Sequence, residues 1–454
     1  MARRRFGVLA DTADTPVRGE IRFRPGALIV CDPDGRIEMV VEPGDGQYDS
    51  VRQALEASGD LIAAGRGVVL LPGFVDLHNH APQWPQLGKA LDVPLEVWLD
   101  RYTFPLEARF ADPAFAERVY RSLVDRTLRN GTTTAVYFGT VHQRATRLLV
   151  DICLEYGQRA VVGKVAMDLE ETCPDYYRDE SAAAAISATA DFIEYVRAHT
   201  QNENELVLAA ATPRFIPSCS DELLTGMGEL VAATSCLVQT HCSESDWAHH
   251  YGLDRYGRSD VLSYDAFGLL RRGTVLAHSN FIDAADMDLV AARGAAVAHC
   301  PLSNAFFANA VFPVRRALER GVTVGLGTDV SGGPHPSLMR TAADTVVVSR
   351  MLEDGVDSHL PADVRGVAGS RVSFAEALWM ATSGGGKALG LPIGLIEPGY
   401  RFDAVAVDTS RTDTDLIVWP DLDTPADIVQ KILNNAAPVD IATVWVDGRI
   451  VVGG

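Results

Sequence analysis

The sequence predicts an α/β protein, a (β/α)8 barrel with a small flanking β-sandwich that the two chain ends form together. Three observations support this fold class. Eight short apolar runs alternate with amphipathic helical segments, strand-and-turn patterns occupy both chain ends, and no G-x-G-x-x-G follows an early strand. The missing glycine motif counts against the alternative, an open doubly wound sheet. We therefore predict a barrel domain at residues 71–394 and a β domain at residues 1–70 and 395–454.

Composition and charge exclude several classes of protein. The 454 residues are 47% hydrophobic and 22% charged, which is ordinary for a globular chain. No apolar run approaches the length of a membrane span, and the apolar stretch near the start soon reaches Asp11, so we expect neither a membrane partner nor a signal peptide. A formal net charge of −20 disfavours a nucleic acid partner.

The seven cysteines are scattered along the chain and form no C-x-x-C motif. This spacing signals neither a thiolate zinc site nor a redox pair. Reduced thiols are the simplest interpretation, and they fit a cytoplasmic location.

The chain ends have the pattern of a small β domain. The first seventy residues are expected to hold short strands and turns, and strand patterns return after Leu395. The β-like segments are residues 20–23, 27–31, 36–41, 402–407 and 441–446.

Between the ends, helices and buried strands alternate. Asp283 is a suitable N-cap for a helix that ends at Gly294, and glycines also close predicted helices at 262–272 and 313–320. Phe115, Val119 and Leu123 share one face of an earlier helix. The eight runs that are predicted to be barrel strands are 73–78, 132–138, 160–167, 206–211, 236–241, 274–278, 295–300 and 323–329.

Four candidate metal ligands lie at the carboxyl ends of predicted strands, where barrel active sites form. His78 and His80 point the same way because strand side chains alternate with a period of two. Together with His241 and Asp329, they could supply three imidazoles and one carboxylate to a divalent ion. Each alone could be a structural residue, and only their convergence at one rim predicts a metal site.

Two further residues are candidates for the chemistry itself. Glu244 follows His241 by three residues and could exchange protons with an attacking water and a leaving nitrogen, unless it is an ordinary loop acid. His278 closes the sixth run and could hydrogen-bond the water or the substrate. The roles of His299, His335 and the pair His249 and His250 stay open.

Several motifs resemble the amidohydrolase superfamily throughout the barrel. They include PGFVDLHNH ending at His80, HCSE ending at Glu244, HCPLSN ending at Asn304 and GTD ending at Asp329. Other segments resemble the guanine deaminase family within it: HAPQ ending at Gln83, YTFPLE at 102–107, TPRF at 212–215 and GLGTDVSGG at 325–333.

The resemblance implies a site and an activity. It implies one Zn²⁺ per chain on His78, His80, His241 and Asp329, with iron not excluded because nitrogen and oxygen ligands suit both metals. It implies Glu244 as the proton shuttle, with His278 and Asp329 also catalytic. Purine binding would fall to Gln83, Arg214 and Phe215. The fourth run lacks the carboxylated lysine of binuclear members, since Lys164 lies in the third run, which favours a single metal.

The resulting hypothesis is hydrolytic deamination of guanine to xanthine and ammonia by a zinc-activated water, in a cytoplasmic homodimer. One alternative keeps the fold and changes the substrate to another aminated heterocycle, such as a triazine, a pterin or an adenine derivative. A second alternative is a non-catalytic binding relative, which the presence of all four ligands disfavours. Pro334-His335 and the histidines after Trp247 depart from the expected family pattern.

Overall fold

The computed structural model describes residues 4–308 and 310–453. Residues 1–3, 309 and 454, which fall within the predicted domain ranges, lie outside the described part of the chain. The strands are Phe6–Asp14 (β1), Arg22–Cys31 (β2), Ile37–Val41 (β3), Leu61–Ala63 (β4), Val68–Pro72 (β5), Phe74–His80 (β6), Thr132–Phe138 (β7), Arg159–Gly163 (β8), Val165–Ala166 (β9), Val207–Pro213 (β10), Leu237–Cys242 (β11), Thr274–His278 (β12), Ala296–His299 (β13), Thr323–Leu326 (β14), Ala404–Asp408 (β15), Ile441–Val446 (β16) and Arg449–Val452 (β17).

The α-helices are Tyr48–Ser58 (α1), Leu95–Trp98 (α2), Phe104–Ala108 (α3), Pro113–Arg129 (α4), Gln143–Tyr156 (α5), Ala182–Ala198 (α6), Asp221–Thr234 (α7), Asp246–Tyr256 (α8), Asp260–Ala266 (α9), Ala284–Arg293 (α10), Pro301–Ser303 (α11), Val314–Glu319 (α12), Leu338–Asp354 (α13), Ala362–Arg365 (α14), Phe374–Trp379 (α15), Gly385–Leu389 (α16) and Pro425–Asn435 (α17). Short 3-10 helices span Ala81–Gln86, Arg109–Ala111, Glu203–Glu205, Ile216–Ser218 and Pro438–Asp440, and π-helical turns span Leu99–Thr103, Asn304–Ala308 and Met380–Gly384. Among the described helices, none combines the length and the apolar composition that crossing a bilayer requires.

The predicted barrel is present as a ring of eight parallel strands. The hydrogen-bonded order runs β6, β7, β8, β10, β11, β12, β13 and β14, and the short β9 adds to β10. Backbone bonds draw the first and last strands together, because Asp329 N donates to His78 O at 2.8 Å and His80 N donates to Val330 O at 2.9 Å. The eight carboxyl ends therefore meet at one rim, where a site can form.

Each of the eight predicted runs overlaps one barrel strand, and the differences are local. The first strand continues to His80, whereas the last ends at Leu326, so Asp329 lies in the loop beyond it. The third run is divided at Lys164, whose buried ammonium pairs with Asp179. Pairing with β10 stops at Val162 and resumes at Val165, so the run forms two strands, β8 and β9.

The helices confirm some sequence signals and correct another. Asp283 caps α10 with a capping box, and Gly294 ends this helix at φ 69°. The helix predicted at 262–272 is shorter and earlier, because the side chain of Ser259 caps α9 and Gly268 turns the chain at φ 75°. The helix therefore ends at Ala266, six residues before the predicted end, and the left-handed residue prevents it from continuing.

The two chain ends form one mixed eight-stranded sheet beside the barrel, in the order β17, β16, β15, β5, β1, β2 and β3, with β4 on β1. Two elements in the first seventy residues differ from the prediction of short strands and turns. Helix α1 packs Tyr48 and Leu55 against buried side chains of the sheet, including Leu28 and Val30. Strand β1 is long and central, contacting β2, β4 and β5. The domain boundary at residues 70 and 71 stays a prediction; it falls inside β5.

A buried ion pair joins the barrel to the chain-end sheet. Arg159, at the start of β8, donates from Nε to Asp403 Oδ2 at 2.8 Å and from Nη2 to Asp403 Oδ1 at 3.2 Å. Its Nη2 also lies 3.4 Å from Asp447 Oδ1. All three side chains are buried, so the charges depend on one another for solvation.

We expect Arg159→Met to lower the free energy of unfolding by about 3–5 kcal/mol, because it leaves a buried carboxylate without its guanidinium. Urea denaturation measures this change. The matched control is Arg129→Met, which breaks an exposed pair with Asp125 and should cost no more than about 0.5 kcal/mol. Equal losses in the two variants would contradict the structural role of Arg159.

Candidate active site

The four predicted metal ligands converge at the carboxyl rim of the barrel. His78 and His80 lie at the end of β6, His241 lies on β11, and Asp329 follows β14. All four side chains are buried. One donor atom each from His78, His80 and Asp329 lies within 4.8 Å of the others, and His241 and His278 form a second such group with His78.

The distances between the donor atoms are those of a ligand set. His80 Nε2 lies 2.9 Å from His241 Nε2, and Asp329 Oδ1 lies 3.2 Å from His78 Nε2. His241 Nδ1 is 2.6 Å from Arg214 O, and because a carbonyl only accepts, Nδ1 carries the proton and Nε2 presents a lone pair. His78 Nε2 is buried without a hydrogen-bond partner. Donors about 3 Å apart with inward lone pairs fit a cation bound at about 2 Å from each.

The protonation states of the four side chains also fit a metal site. Burial lowers the pKa of His78, His80 and His241, so their rings are neutral and free to coordinate. Burial alone would raise the pKa of Asp329, but the surrounding imidazoles outweigh it and hold that pKa well below the usual range. The site therefore offers three neutral nitrogen donors and one carboxylate, a set that suits a divalent metal.

The buried carboxylate of Asp76 joins the two segments that carry the proposed ligands, the end of β6 and the loop after β14. Asp76, two residues before His78, accepts from Thr328 N at 2.9 Å, from Thr328 Oγ1 at 2.5 Å and from Asn79 Nδ2 at 3.1 Å. Burial raises the pKa of Asp76 to about 6. Its bonds hold the end of β6 against the loop that carries Asp329.

Several site residues adopt backbone conformations that are uncommon for non-glycine residues. The φ angles are 44° at Ser243, 66° at His278, 58° at Ser279 and 49° at Asp329. Such conformations cost on the order of 1–3 kcal/mol each and persist where the surroundings enforce them. One such restraint is Asp260, a buried acid that accepts from Ser243 N at 2.6 Å.

Glu244 and His278 lie beside the ligand set. His278 Nε2 is 3.6 Å from Glu244 Oε1 and 3.9 Å from Asp329 Oδ2. Its Nδ1 lies 2.9 Å from Asn304 Oδ1, which fixes the orientation of the ring. Burial raises the pKa of Glu244 to about 7, close to the value at which a carboxyl both takes up and releases protons at neutral pH. Asn280 Nδ2 donates to Glu244 O at 2.8 Å and steadies the loop.

A small, partly open cavity adjoins these groups. Apolar side chains and polar or ionisable side chains contribute in similar numbers to its lining, so a bound molecule meets both an apolar wall and several hydrogen-bonding groups. The lining residues are His80, Gln83, Leu95, Trp98, Leu99, Arg214, Phe215, His241, Glu244, Phe307, Asp329 and Gly332. The three predicted substrate residues and three of the four predicted ligands therefore share one cavity, and His78 and His278 lie just behind it.

Sequence reasoning missed a buried acid next to this cavity. Glu107 on α3 accepts from Arg214 Nη1 at 2.6 Å and Nη2 at 3.2 Å, and from Gln83 Nε2 at 2.8 Å. Burial lowers the pKa of Arg214, but pairing with Glu107 outweighs it, so the net pKa is raised and the guanidinium stays charged. No strand-end or spacing signal marks Glu107, although it closes the YTFPLE segment.

The histidines whose roles were left open lie outside the ligand set. His335 is 2.9 Å from Asp344 Oδ2, His250 is exposed, and His249 Nδ1 lies 3.1 Å from Ser243 Oγ. His299 is fully buried, and burial lowers its pKa to about 3. We assign none of them a part in the chemistry.

The chain is similar to known proteins over nearly its whole length. The model of the amidohydrolase family matches residues 69–451. Guanine deaminase of Dictyostelium discoideum is 34% identical over 451 residues, covering 95% of this chain and 94% of that protein. Guanine deaminase of Homo sapiens is 36% identical over 389 residues, covering 84% and 82%. The crystal structure of guanine deaminase from C. acetobutylicum with bound guanine has a TM-score of 0.86 at 28% identity, covering 98% of this chain and 100% of that one.

Proposed function

Since the chain belongs to the amidohydrolase family of metal-dependent hydrolases, we propose that it deaminates guanine hydrolytically, giving xanthine and ammonia. The observation that carries this proposal is the shared cavity. A purine-binding set of Gln83, Arg214 and Phe215 opens onto the same space as Glu244 and the ligand cluster. The relatives named guanine deaminase, one of them with guanine in its active site, support the choice of substrate.

One divalent metal, which we propose to be zinc, would be held by His78, His80, His241 and Asp329. When bound there, zinc lowers the pKa of a water molecule and so makes a nucleophile available at neutral pH. Support comes from the donor set of three imidazoles and one carboxylate, with donor atoms about 3 Å apart. Iron accepts the same donors, so metal analysis of purified protein has to decide between them.

Glu244 is the proton shuttle in this proposal. Its carboxyl group takes one proton from the attacking water and delivers it to a purine ring nitrogen, and it then takes the second proton of that water and delivers it to the departing amine. The pKa of about 7 suits both directions of transfer. His278 Nε2, 3.6 Å from Glu244 Oε1, orients the water through a hydrogen bond, while Asn304 holds the ring in place.

The purine is held by three side chains on one side of the cavity. Arg214 and Gln83 donate hydrogen bonds to the carbonyl and ring-nitrogen acceptors of guanine, in a geometry that a planar guanidinium and an amide can match. The ring of Phe215 contacts the face of the purine. Phe215 is buried beside His241, with ring centroids 6.0 Å apart, so the purine face lies next to the ligand set.

Purified, metal-replete protein is expected to release ammonia from guanine at least about 100-fold faster, as kcat/KM, than from guanosine, adenine, cytosine or melamine. The reason is that each competitor misplaces or lacks an acceptor for Arg214 or Gln83, or is too bulky for the cavity. A coupled ammonia assay on the five compounds measures this. Activity confined to another ring would contradict the substrate assignment and leave the fold unaffected.

The homodimeric state, the cytoplasmic location and the domain boundaries at residues 70 and 394 stay predictions. The first can be tested by light scattering of the purified chain. The second requires imaging or fractionation in the source cell, and the third requires limited proteolysis.

A further inference from the structure

A single buried carboxylate links the two polar residues of the proposed purine pocket. Glu107 is fully buried and contacts both Arg214 and Gln83, each through its polar side-chain atoms. It lies on α3, in the segment that connects β6 to β7. The resemblance that marks Gln83 and Arg214 as substrate contacts assigns no role to Glu107.

Glu107 fixes the direction of the Gln83 amide. A carboxylate that pairs with a guanidinium only accepts hydrogen bonds, so the amide nitrogen of Gln83 has to face Glu107. The amide oxygen then points the other way, where it accepts from Ser331 N at 3.2 Å. The arrangement of donor and acceptor that Gln83 offers to a ligand is therefore set by Glu107.

Glu107 also neutralises the charge of Arg214. The two terminal nitrogens of Arg214 donate to the two carboxylate oxygens at 2.6 and 3.2 Å, and Arg214 as a whole is only 2% exposed. Without its partner, Arg214 would be a buried cation in the cavity wall with no paired carboxylate. Such a cation attracts an anionic ligand strongly, because little solvent screens it.

Deamination changes the acidity of the purine. Replacing the amino group by a second carbonyl makes the neighbouring ring N–H groups more acidic, so the dioxopurine product becomes an anion at a lower pH than guanine does. Building on the proposed function, we propose that Glu107 is a specificity-determining residue, which makes the pocket favour the uncharged aminopurine over the anionic dioxopurine. It thereby limits inhibition by the enzyme's own product.

The test compares wild type with Glu107→Gln, using xanthine as a competitive inhibitor below and above the pH at which it ionises. We expect KM for guanine to rise roughly 10- to 100-fold, because Gln83 and Arg214 lose their fixed partner. The decisive quantity is the inhibition constant of the variant divided by that of wild type. This ratio is expected to fall at least about tenfold between the lower and the higher pH.

Two further variants make the result specific. Glu117→Gln makes the same chemical change on an exposed glutamate that pairs with Arg121, and its ratio should stay near one at both pH values. Arg214→Met leaves the negative charge of Glu107 unpaired, so its ratio should rise with pH instead of falling. This opposite trend tests the proposal even if Glu107→Gln fails to fold.

The proposal is overturned if the ratio for Glu107→Gln is the same at both pH values, or if Arg214→Met shows no opposite trend. A purely structural role for Glu107 would lower stability and activity without such a charge-dependent signature. Wild-type protein that releases no ammonia from guanine would overturn the proposed function, and this inference with it. The two failures are distinguishable, because the inhibition ratios that test the role of Glu107 can be measured only if the wild-type protein deaminates guanine.

Discussion

Replacing Glu244 with glutamine is expected to lower kcat for guanine by roughly 10³- to 10⁴-fold, the upper part of the range for a general acid–base residue. Glutamine has nearly the same size but cannot take up or release a proton at neutral pH. The effect should fall on kcat more than on KM, because Glu244 acts on the reacting atoms. A stopped ammonia assay with guanine, combined with metal analysis of the same protein, measures both consequences.

The metal content of Glu244→Gln separates two roles for this residue. One oxygen of Glu244 lies within 4.8 Å of donor atoms of His278 and Asp329, so the geometry alone would also permit it to be a ligand. As a proton shuttle, Glu244 is dispensable for metal binding, and the variant should hold as much metal as wild type. The matched control is Glu222→Gln on the exposed surface of α7. Retained activity would rule out the shuttle, and lost metal would make Glu244 a ligand.

The convergence of the four proposed ligands was predictable because it follows a rule of barrel geometry. His78, His80 and His241 end apolar runs, and the carboxyl ends of parallel strands meet at one rim. Asp329 was placed at a strand end and lies instead in the following loop, yet three residues of displacement keep it at the same rim. A rule based on strand ends therefore tolerates errors in the strand bounds.

The supporting residues were not predictable, since they meet the site only through tertiary contacts. Glu107 lies 107 positions before Arg214, and Asn304 lies 26 positions after His278. Each comes from a helix or a helical turn between strands, where no periodicity marks an inward-facing polar side chain. Asp76 is a strand residue, but its partners become adjacent only when the barrel closes.

Two elements of the chain-end domain, β1 and α1, were not predicted from the sequence, and the reasons differ. Strand β1 is central and buried along both faces, including Thr12 and Asp14, so the alternation expected of a half-exposed strand is absent. The helix α1 was missed even though Tyr48, Val51 and Leu55 follow a helical spacing and share a packed cluster. For β1 the sequence lacks the alternating pattern that marks a strand, whereas for α1 the helical pattern is present in the sequence.

Replacing His241 with alanine is expected to remove both the metal and the activity. His241 Nε2 lies 2.9 Å from His80 Nε2, and its loss leaves two imidazoles and one carboxylate to hold the ion. Metal content should fall from about one ion per chain to under about a tenth, because the site depends on its full donor set. Since a bound metal contributes several kcal/mol to such reactions, kcat/KM should fall by more than about 10³-fold.

His278→Ala provides the discriminating comparison, since His278 forms an overlapping donor group with His78 and His241. If His278 positions the water, its alanine variant keeps the metal and loses kcat, whereas His241→Ala loses both. His250→Ala, at an exposed position on α8, should change neither. Loss of metal from His278→Ala would place that ring among the ligands. Another group would then have to orient the attacking water beside Glu244. Asn304, which contacts His278 Nδ1, would in that case hold a metal ligand in place and not a catalytic residue.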